Sequence, residues 1–84
     1  MSKEHLRAIA RHLIGKVLGL KVAAKKIDIE EYESNFIIPE YLVFSIKGVE
    51  KVKYTLREQP NGTYRFYING AFVCRLELSD FEVE

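Results

Sequence analysis

The sequence has no tryptophan, and Cys74 is the one cysteine among its 84 residues. A lone cysteine cannot close an intrachain disulfide, which excludes a small scaffold held together by such bonds. Apolar runs are also short, and none approaches the ~18 residues that cross a bilayer. We therefore expect a chain that folds through a hydrophobic core in a reducing, aqueous compartment, with the cytoplasm as the default and no role for a membrane.

Glutamine, asparagine and methionine are scarce while lysine, glutamate and isoleucine are abundant, a composition that leans toward a thermophilic source. Hydrophobic residues make up 48% and charged residues 30% of the chain, which is typical of a globular protein. The length predicts a single domain over residues 1–84. Charges at Arg11 and Lys16 interrupt the N-terminal apolar positions, so we expect this segment to belong to the fold rather than to a targeting peptide.

The N-terminal segment has the pattern of a one-sided helix from Ser2 to about Leu18. Its apolar residues recur at steps of three and four: Leu6, Ile9, Ala10, Leu13, Val17 and Leu20. Ser2 is a suitable N-cap, and Gly19 a suitable stop because glycine accepts the left-handed conformation. The sequence therefore predicts an amphipathic helix with one face to bury.

The rest of the chain reads as β-structure. Residues 27–30 alternate in the manner of a strand, and a second extended stretch covers residues 36–47, with Pro39 placing its effective start at about Tyr41. Three-residue hairpin loops are predicted at residues 48–50, 60–62 and 68–70. The predicted fold class is α+β, with one N-terminal helix packed on one face of a four- to five-stranded antiparallel meander. Whether residues 27–33 join the sheet stays open.

Loops of odd length make like-numbered positions share a face, because paired residue numbers then sum to an even number. The predicted pairs are Phe44–Tyr54, Ile46–Val52, Leu56–Phe66, Phe66–Phe72 and Tyr64–Cys74. The even positions then form one apolar face: Leu42, Phe44, Ile46, Val52, Tyr54, Leu56, Tyr64, Phe66, Phe72, Cys74, Leu76 and Leu78. A two-residue turn at 69–70 would move Phe72, Cys74 and Leu76 to the polar face. We therefore expect the three-residue loop and not the two-residue turn.

Charge is distributed unevenly although 13 basic residues nearly balance 12 acidic ones. Residues 1–26 carry seven bases and one acid, and residues 27–84 carry six bases and eleven acids. The six later bases all have odd numbers and so share the predicted solvent face: Lys47, Lys51, Lys53, Arg57, Arg65 and Arg75. The register sets Lys47 opposite Lys51 and Arg57 opposite Arg65, and like charges directly opposite each other destabilise a sheet.

A basic sheet face that also carries Tyr41 and Tyr67 suits nucleic acid. The lysine and arginine side chains would neutralise phosphates, and unstacked nucleobases could lie on the tyrosine rings. The hypothesis is binding of RNA or single-stranded DNA at Lys47, Lys51, Lys53, Arg57, Arg65, Arg75, Tyr41 and Tyr67. One alternative is neutralisation within the monomer by Asp28, Glu30 or the acidic tail. The other is a small accessory or regulatory protein whose basic face meets an acidic protein surface, including residues 28–40 of a second copy in a homodimer.

Candidates for catalysis fail on spacing. His5 and His12 lie seven residues apart on the predicted helix, ~10 Å along its axis, which is too far to share a metal ion. Cys74 faces inward in the predicted register and should behave as a small hydrophobe. The carboxylates of Glu30, Glu31 and Glu33 crowd one strand instead of facing each other across a cleft. We expect no catalytic residue, no metal and no cofactor, and hence a binding protein rather than an enzyme.

The order of elements is similar to that of the cystatin-like architecture, a helix followed by an antiparallel meander. Residues 44–48, Phe-Ser-Ile-Lys-Gly, lie where a cystatin carries its Q-x-V-x-G hairpin, and Gly48 alone matches. The tryptophan of the second inhibitory loop has no counterpart here. The resemblance therefore implies an architecture and no protease-inhibitor function.

Overall fold

A computed structural model describes residues 2–33 and 38–81. Helix α1 (Lys3–Leu13) continues as a π-helical turn (Ile14–Leu18), and a 3-10 turn (Ala24–Lys26) leads into the sheet. The strands are β1 (Ile27–Glu33), β2 (Tyr41–Ile46), β3 (Val49–Glu58), β4 (Tyr64–Ile68) and β5 (Ala71–Leu76), and a 3-10 helix (Leu78–Phe81) follows.

Each strand pairs antiparallel with the next, in the order β1-β2-β3-β4-β5. The predicted α+β meander is confirmed, and residues 27–33 do join the sheet, as edge strand β1. The start of β2 at Tyr41 is confirmed too, whereas the extended conformation predicted for residues 36 and 37 falls outside the described residues.

The ends of the N-terminal helix follow the signals in the sequence. The Ser2 hydroxyl accepts a hydrogen bond from the backbone N–H of His5 (3.2 Å), which satisfies one of the free donors of the first turn. Gly19 ends the π-helical turn with a φ of 69°, a left-handed conformation that other residues adopt only with strain. The helix therefore ends as predicted, but Leu20, the last residue of the predicted apolar stripe, lies beyond Gly19 and is 48% exposed.

The core lies between α1 and the inner face of the sheet. Leu6, Ile9, Ala10 and Leu13 of α1 are buried there. The ring of Phe44 stacks on Tyr54 with centroids 5.2 Å apart, and Tyr54 on Phe66 at 6.1 Å, so aromatic rings cross three strands. The Nε of Arg7 donates to the carbonyl oxygen of Ile27 (3.2 Å) and fixes the helix against the start of β1.

The C-terminal 3-10 helix lies against the N-terminal helix. Asp80 forms an ion pair with Lys16 (3.0 Å), and its backbone carbonyl accepts a hydrogen bond from Nε2 of His12 (2.6 Å). Asp80 of the acidic tail is thus engaged by the helix, and His12 is half-buried. The N–H of Glu77 and then Lys16 hold the pKa of Asp80 below its ordinary value. Positions 82–84 of the predicted tail lie outside the described residues.

The hairpin of β4 and β5 departs from the predicted register. A two-residue turn, Asn69 and Gly70, joins the strands, so that Ile68 pairs with Ala71 and Tyr67 with Phe72. Asparagine and glycine both accept the positive φ (50° and 81°) that such a turn requires. The amide oxygen of Asn69 also accepts the N–H of Lys53 (2.7 Å), which fastens the turn to β3.

One extra residue in β5, Val73, then restores the inward register. Beyond it Phe66 pairs with Cys74, and Tyr64 with Leu76. The predicted pairs Phe66–Phe72 and Tyr64–Cys74 are wrong, because a tight turn followed by a bulge buries Leu76 just as a three-residue loop would. Phe72 is consequently on the outer face, with 56% of its surface exposed.

Leu78 departs from the predicted apolar face as well. It belongs to the C-terminal 3-10 helix instead of a strand and is 60% exposed. Once the chain leaves β5, alternation by two no longer governs which side chains point inward.

The hairpin of β2 and β3 is also tighter than predicted. Phe44 pairs with Tyr54 as expected, but Ile46 faces Val49 and not Val52. Lys47 and Gly48 form the turn, where the Gly48 N–H donates to the carboxylate of Glu50 (2.8 Å). Residues 50–53 therefore lie opposite a single residue of β2, and the predicted juxtaposition of Lys47 with Lys51 is wrong.

Replacing the two phenylalanines one at a time tests the corrected register of β5. Phe66→Ala removes a fully buried ring and should lower the free energy of unfolding by about 3–5 kcal/mol. Phe72→Ala should lower it by no more than about 1 kcal/mol, the value of its edge-to-face contact with Tyr67. Urea denaturation of both variants measures the difference, and a large loss with Phe72→Ala would mean that this ring is in the core.

Candidate functional site

Three arginines form a row across the outer face. Arg57 on β3 pairs with Arg65 on β4, as predicted, and Arg65 pairs with Arg75 on β5. Neighbouring strands are ~4.8 Å apart, so the three backbones lie within ~10 Å of one another. The predicted register would have displaced Arg75 from this row; the bulge at Val73 aligns it. We call these three residues the arginine row.

Aromatic rings hold two members of the arginine row in place. The Cζ of Arg57 lies 4.7 Å from the ring centroid of Tyr41, and the Cζ of Arg65 lies 5.6 Å from that of Phe72. Such contacts orient a guanidinium group without neutralising it. They restrict the two guanidinium groups and leave their positive charge in place.

Ion pairing within the arginine row is slight. Arg75 lies 3.3 Å from the carboxylate of Glu77, and both side chains are more than half exposed, so the pair is weak. Within residues 2–33 and 38–81, no carboxylate lies within 4.0 Å of Arg57 or Arg65. The carboxylate at one end of the row is thus Glu77, whereas Glu30 and Asp80, which the sequence suggested as neutralisers, pair with Lys53 and Lys16.

The predicted lysines lie apart from the arginines. Lys53 is paired with Glu30 (2.6 Å), which is the extra residue of a bulge in β1. The pair reaches across β2 above Ser45, which is only 1% exposed and hydrogen-bonds to Glu30. Glu30 therefore neutralises the charge of Lys53, as one of the alternatives considered from the sequence expects. Lys47 lies in the β2–β3 turn and Lys51 in the irregular part of β3, so neither adds to the row.

Tyr41 and Tyr67 border a shallow cleft of about 340 Å³ on the outer face, together with Thr55, Arg57 and Gly70. Open space surrounds the position that a side chain on Gly70 would occupy, so that end of the cleft is open. Both predicted tyrosines thus meet at one site. The Tyr41 hydroxyl donates to Glu31 (3.3 Å) and Arg57 covers its ring, which leaves Tyr67 the more available ring.

Sequence reasoning missed Phe72, whose ring meets Tyr67 edge to face with centroids 6.0 Å apart. The signal was present in the Asn69-Gly70 dipeptide, which is the strongest short-range indicator of a two-residue turn. That turn moves Phe72 outward, next to Tyr67.

Acidic residues border the arginine row on the β1 and β2 side. A groove of about 560 Å³ is lined by Glu33, Glu40, Glu58 and Arg57, with Tyr41, Gln59 and Pro60. Glu58 also accepts a hydrogen bond from the hydroxyl of Tyr64 (3.2 Å); burial and then this carboxylate raise the pKa of Tyr64 to about 12. Glu33, Glu40 and Glu58 thus place negative charge beside Arg57, and we call these three residues the acidic border.

A second groove, of about 610 Å³, lies beside the helix. Its lining is mainly apolar, with basic groups at one side: Ala8, Arg11, His12, Gly15, Lys16 and Ala24. Lys16 and His12 already bind Asp80, so these bases contribute to closing the fold. This groove does not continue the arginine row.

The described residues contain no group of three histidine, cysteine, aspartate or glutamate side chains that could hold a metal ion. Cys74 is half-buried against the core, and burial raises the pKa of its thiol, which disfavours the reactive thiolate. In the part of the chain that the structure describes, no helix has the length and apolarity to cross a membrane.

No protein-family model matches this chain, and neither curated proteins nor solved structures contain a match to it. The arginine row, its aromatic neighbours and the acidic border are therefore the observations from which function can be argued.

Titration of Glu30 tests its ion pair with Lys53 on the outer face. Hydrogen bonds from Lys53 and then Ser45 lower the pKa of this carboxyl. Because the folded value is the lower one, the pair adds stability above the ordinary glutamate pKa and loses it as the pH falls through the folded value. In Lys53→Met the carboxyl pKa, followed by carbon-13 NMR, should rise toward the ordinary glutamate value. An unchanged value would show that Lys53 does not hold this carboxylate.

Proposed function

We propose that this protein is a small binding module for nucleic acid, RNA or single-stranded DNA, and that the arginine row is its phosphate-binding surface. The observation that carries the proposal is the direct lateral pairing of Arg57, Arg65 and Arg75 on one exposed face. Guanidinium groups bind phosphate in two-pronged geometry, which makes arginine the favoured residue for this contact.

The energetics of the sheet support this proposal. Like charges on paired positions destabilise a sheet, and an acidic residue at position 65 would stabilise it instead. Rings at Tyr41 and Phe72 hold the arginines without discharging them, so the arrangement keeps a concentrated positive field at the surface. A polyanion that spans the row would relieve the repulsion and release its own counterions.

The role proposed here is binding without catalysis, in the cytoplasm. A lone cysteine with a suppressed thiolate agrees with a reducing compartment.

A double charge reversal tests the proposal. Arg57→Glu with Arg65→Glu should weaken binding of a labelled single-stranded oligonucleotide at least tenfold, measured by fluorescence anisotropy at low salt. For the unmodified protein, the logarithm of affinity should fall with the logarithm of salt with a slope of about −2, from three phosphates at ~0.7 each. The melting temperature should stay within ~5 °C, because relief of repulsion offsets the lost ring contacts.

The matched control is Lys25→Glu with Lys26→Glu, which changes the net charge equally on an exposed turn away from this face. It should keep most of the affinity. An equal loss in both double variants would show that binding depends on net charge and not on the arginine row.

A second candidate function is self-association, favoured by the two-sided charge of the outer face. The β1 side carries Asp28, Glu31 and Glu33, and the β3 to β5 side carries the arginine row. A two-fold axis parallel to the strands would place β1 of one copy over β5 of the other, so each acidic side would meet a basic side twice. Such a homodimer would act as a small accessory or regulatory protein through protein contacts.

Light scattering after size-exclusion chromatography discriminates between the candidates. The homodimer predicts twice the chain mass of 9.8 kDa at low salt and a monomer at ~0.5 M salt, because screening weakens exposed charge pairs. Glu31→Lys with Glu33→Lys should abolish such a dimer. A monomer at low salt would remove this candidate and leave the face open to nucleic acid.

A further inference from the structure

Two parallel rows cross the outer face of β3, β4 and β5. The arginine row is one. The other runs through Thr55, Tyr67 and Phe72, which pair with one another in the same lateral sequence. Two residues along a strand separate the rows on β3 and β4, ~6.7 Å. On β5 the bulge at Val73 adds one residue and brings Phe72 into line. We call Tyr67 and Phe72, with Thr55 beside them, the aromatic row.

We infer that a single strand of nucleic acid lies across β3, β4 and β5, perpendicular to them, with its phosphates on the arginine row and its bases on Tyr67 and Phe72. This inference rests on the proposed function and specifies its ligand. A nucleotide carries its phosphate and its base on opposite sides of the sugar. A backbone that follows the arginine row therefore brings successive bases over the aromatic row.

Duplex nucleic acid does not use both rows. Its bases are stacked and paired in the interior, so a flat face such as this one meets phosphates alone. Unpaired bases expose their faces, and stacking on aromatic side chains contributes about 1–3 kcal/mol per base. The aromatic row therefore selects a single strand.

The ring of Phe72 is placed for such contact. Arg65 lies over this ring as Arg57 lies over Tyr41, but 56% of the Phe72 surface stays exposed, and Tyr67 and Arg65 together restrict its orientation. The open cleft beside Tyr67, with Gly70 at its end, gives a neighbouring base room to enter. A ring that is already ordered loses little entropy when a base stacks on it.

The acidic border fixes the extent of the track. Glu33 follows Tyr41 and Arg57 in the same lateral line of paired residues, so the row changes sign at β1. A strand of phosphates that follows the arginines from β5 toward β3 meets this carboxylate next. Contact is thus confined to about three nucleotides on three strands.

The test compares three fluorescent probes at low salt by anisotropy: an eight-residue oligothymidylate, an abasic strand with the same number of phosphates, and an eight-base-pair duplex. The unmodified protein should bind oligothymidylate at least tenfold more tightly than the abasic strand or the duplex. Phe72→Ala should reduce this preference at least fivefold, because affinity for oligothymidylate falls more than affinity for the abasic strand, and the salt slope should not change because the arginines remain.

Val49→Ala is the matched control, since Val49 is an equally exposed apolar residue at the far end of β3. It should bind all three probes as the unmodified protein does, and melting curves confirm that both variants are folded. Equal affinity for the three probes, still lost in the Arg57→Glu, Arg65→Glu protein, would overturn the crosswise track and keep the part of the proposed function that makes the arginine row a phosphate-binding surface for nucleic acid. Absence of binding to every probe would overturn both.

Discussion

Burial of the apolar stripe of α1 on the sheet is the constraint from which the rest of the structure follows. It commits one face of every strand to the core, and the period of two in a strand then sends the alternate residues to solvent. The arginines are on the outer face for this reason. Burial does not explain why three arginines, all positively charged, lie side by side across β3, β4 and β5. It also does not explain why acidic residues collect on the edge strand β1.

The outer face combines two kinds of polar site with different energetics. Near the β2–β3 turn, Lys53 and Glu30 neutralise each other above a buried serine, which is a local structural arrangement. Toward the other end, guanidinium groups rest on Tyr41 and Phe72 and keep their charge. A face built purely for stability would have paired all its charges as the first site does. The second site is where an external anion gains most.

The helix, its caps, the meander and the pairing of Arg57 with Arg65 could be predicted because each depends on local pattern or on parity. The position of Phe72 was predicted wrongly because two solutions bury Leu76 equally well: a three-residue loop, or a two-residue turn with a bulge. Parity cannot separate them, whereas the Asn69-Gly70 dipeptide favours the two-residue turn, which a hydrogen bond from the Lys53 backbone N–H to Asn69 fastens to β3. Likewise, Lys53 and Glu30 meet only because β1 contains an extra residue, and no pattern in the sequence predicts that bulge.

Pairing of every strand with its sequence neighbour also bears on how the protein assembles. Hairpins of this kind close short loops, so the sheet can grow strand by strand with little loss of chain entropy. The contact of Asp80 with Lys16 and His12 instead joins residues more than sixty positions apart, so its formation costs more chain entropy. Opening of that contact leaves β3, β4 and β5 paired. Amide exchange should therefore be fastest around the C-terminal 3-10 helix while the face with the arginine row keeps its shape.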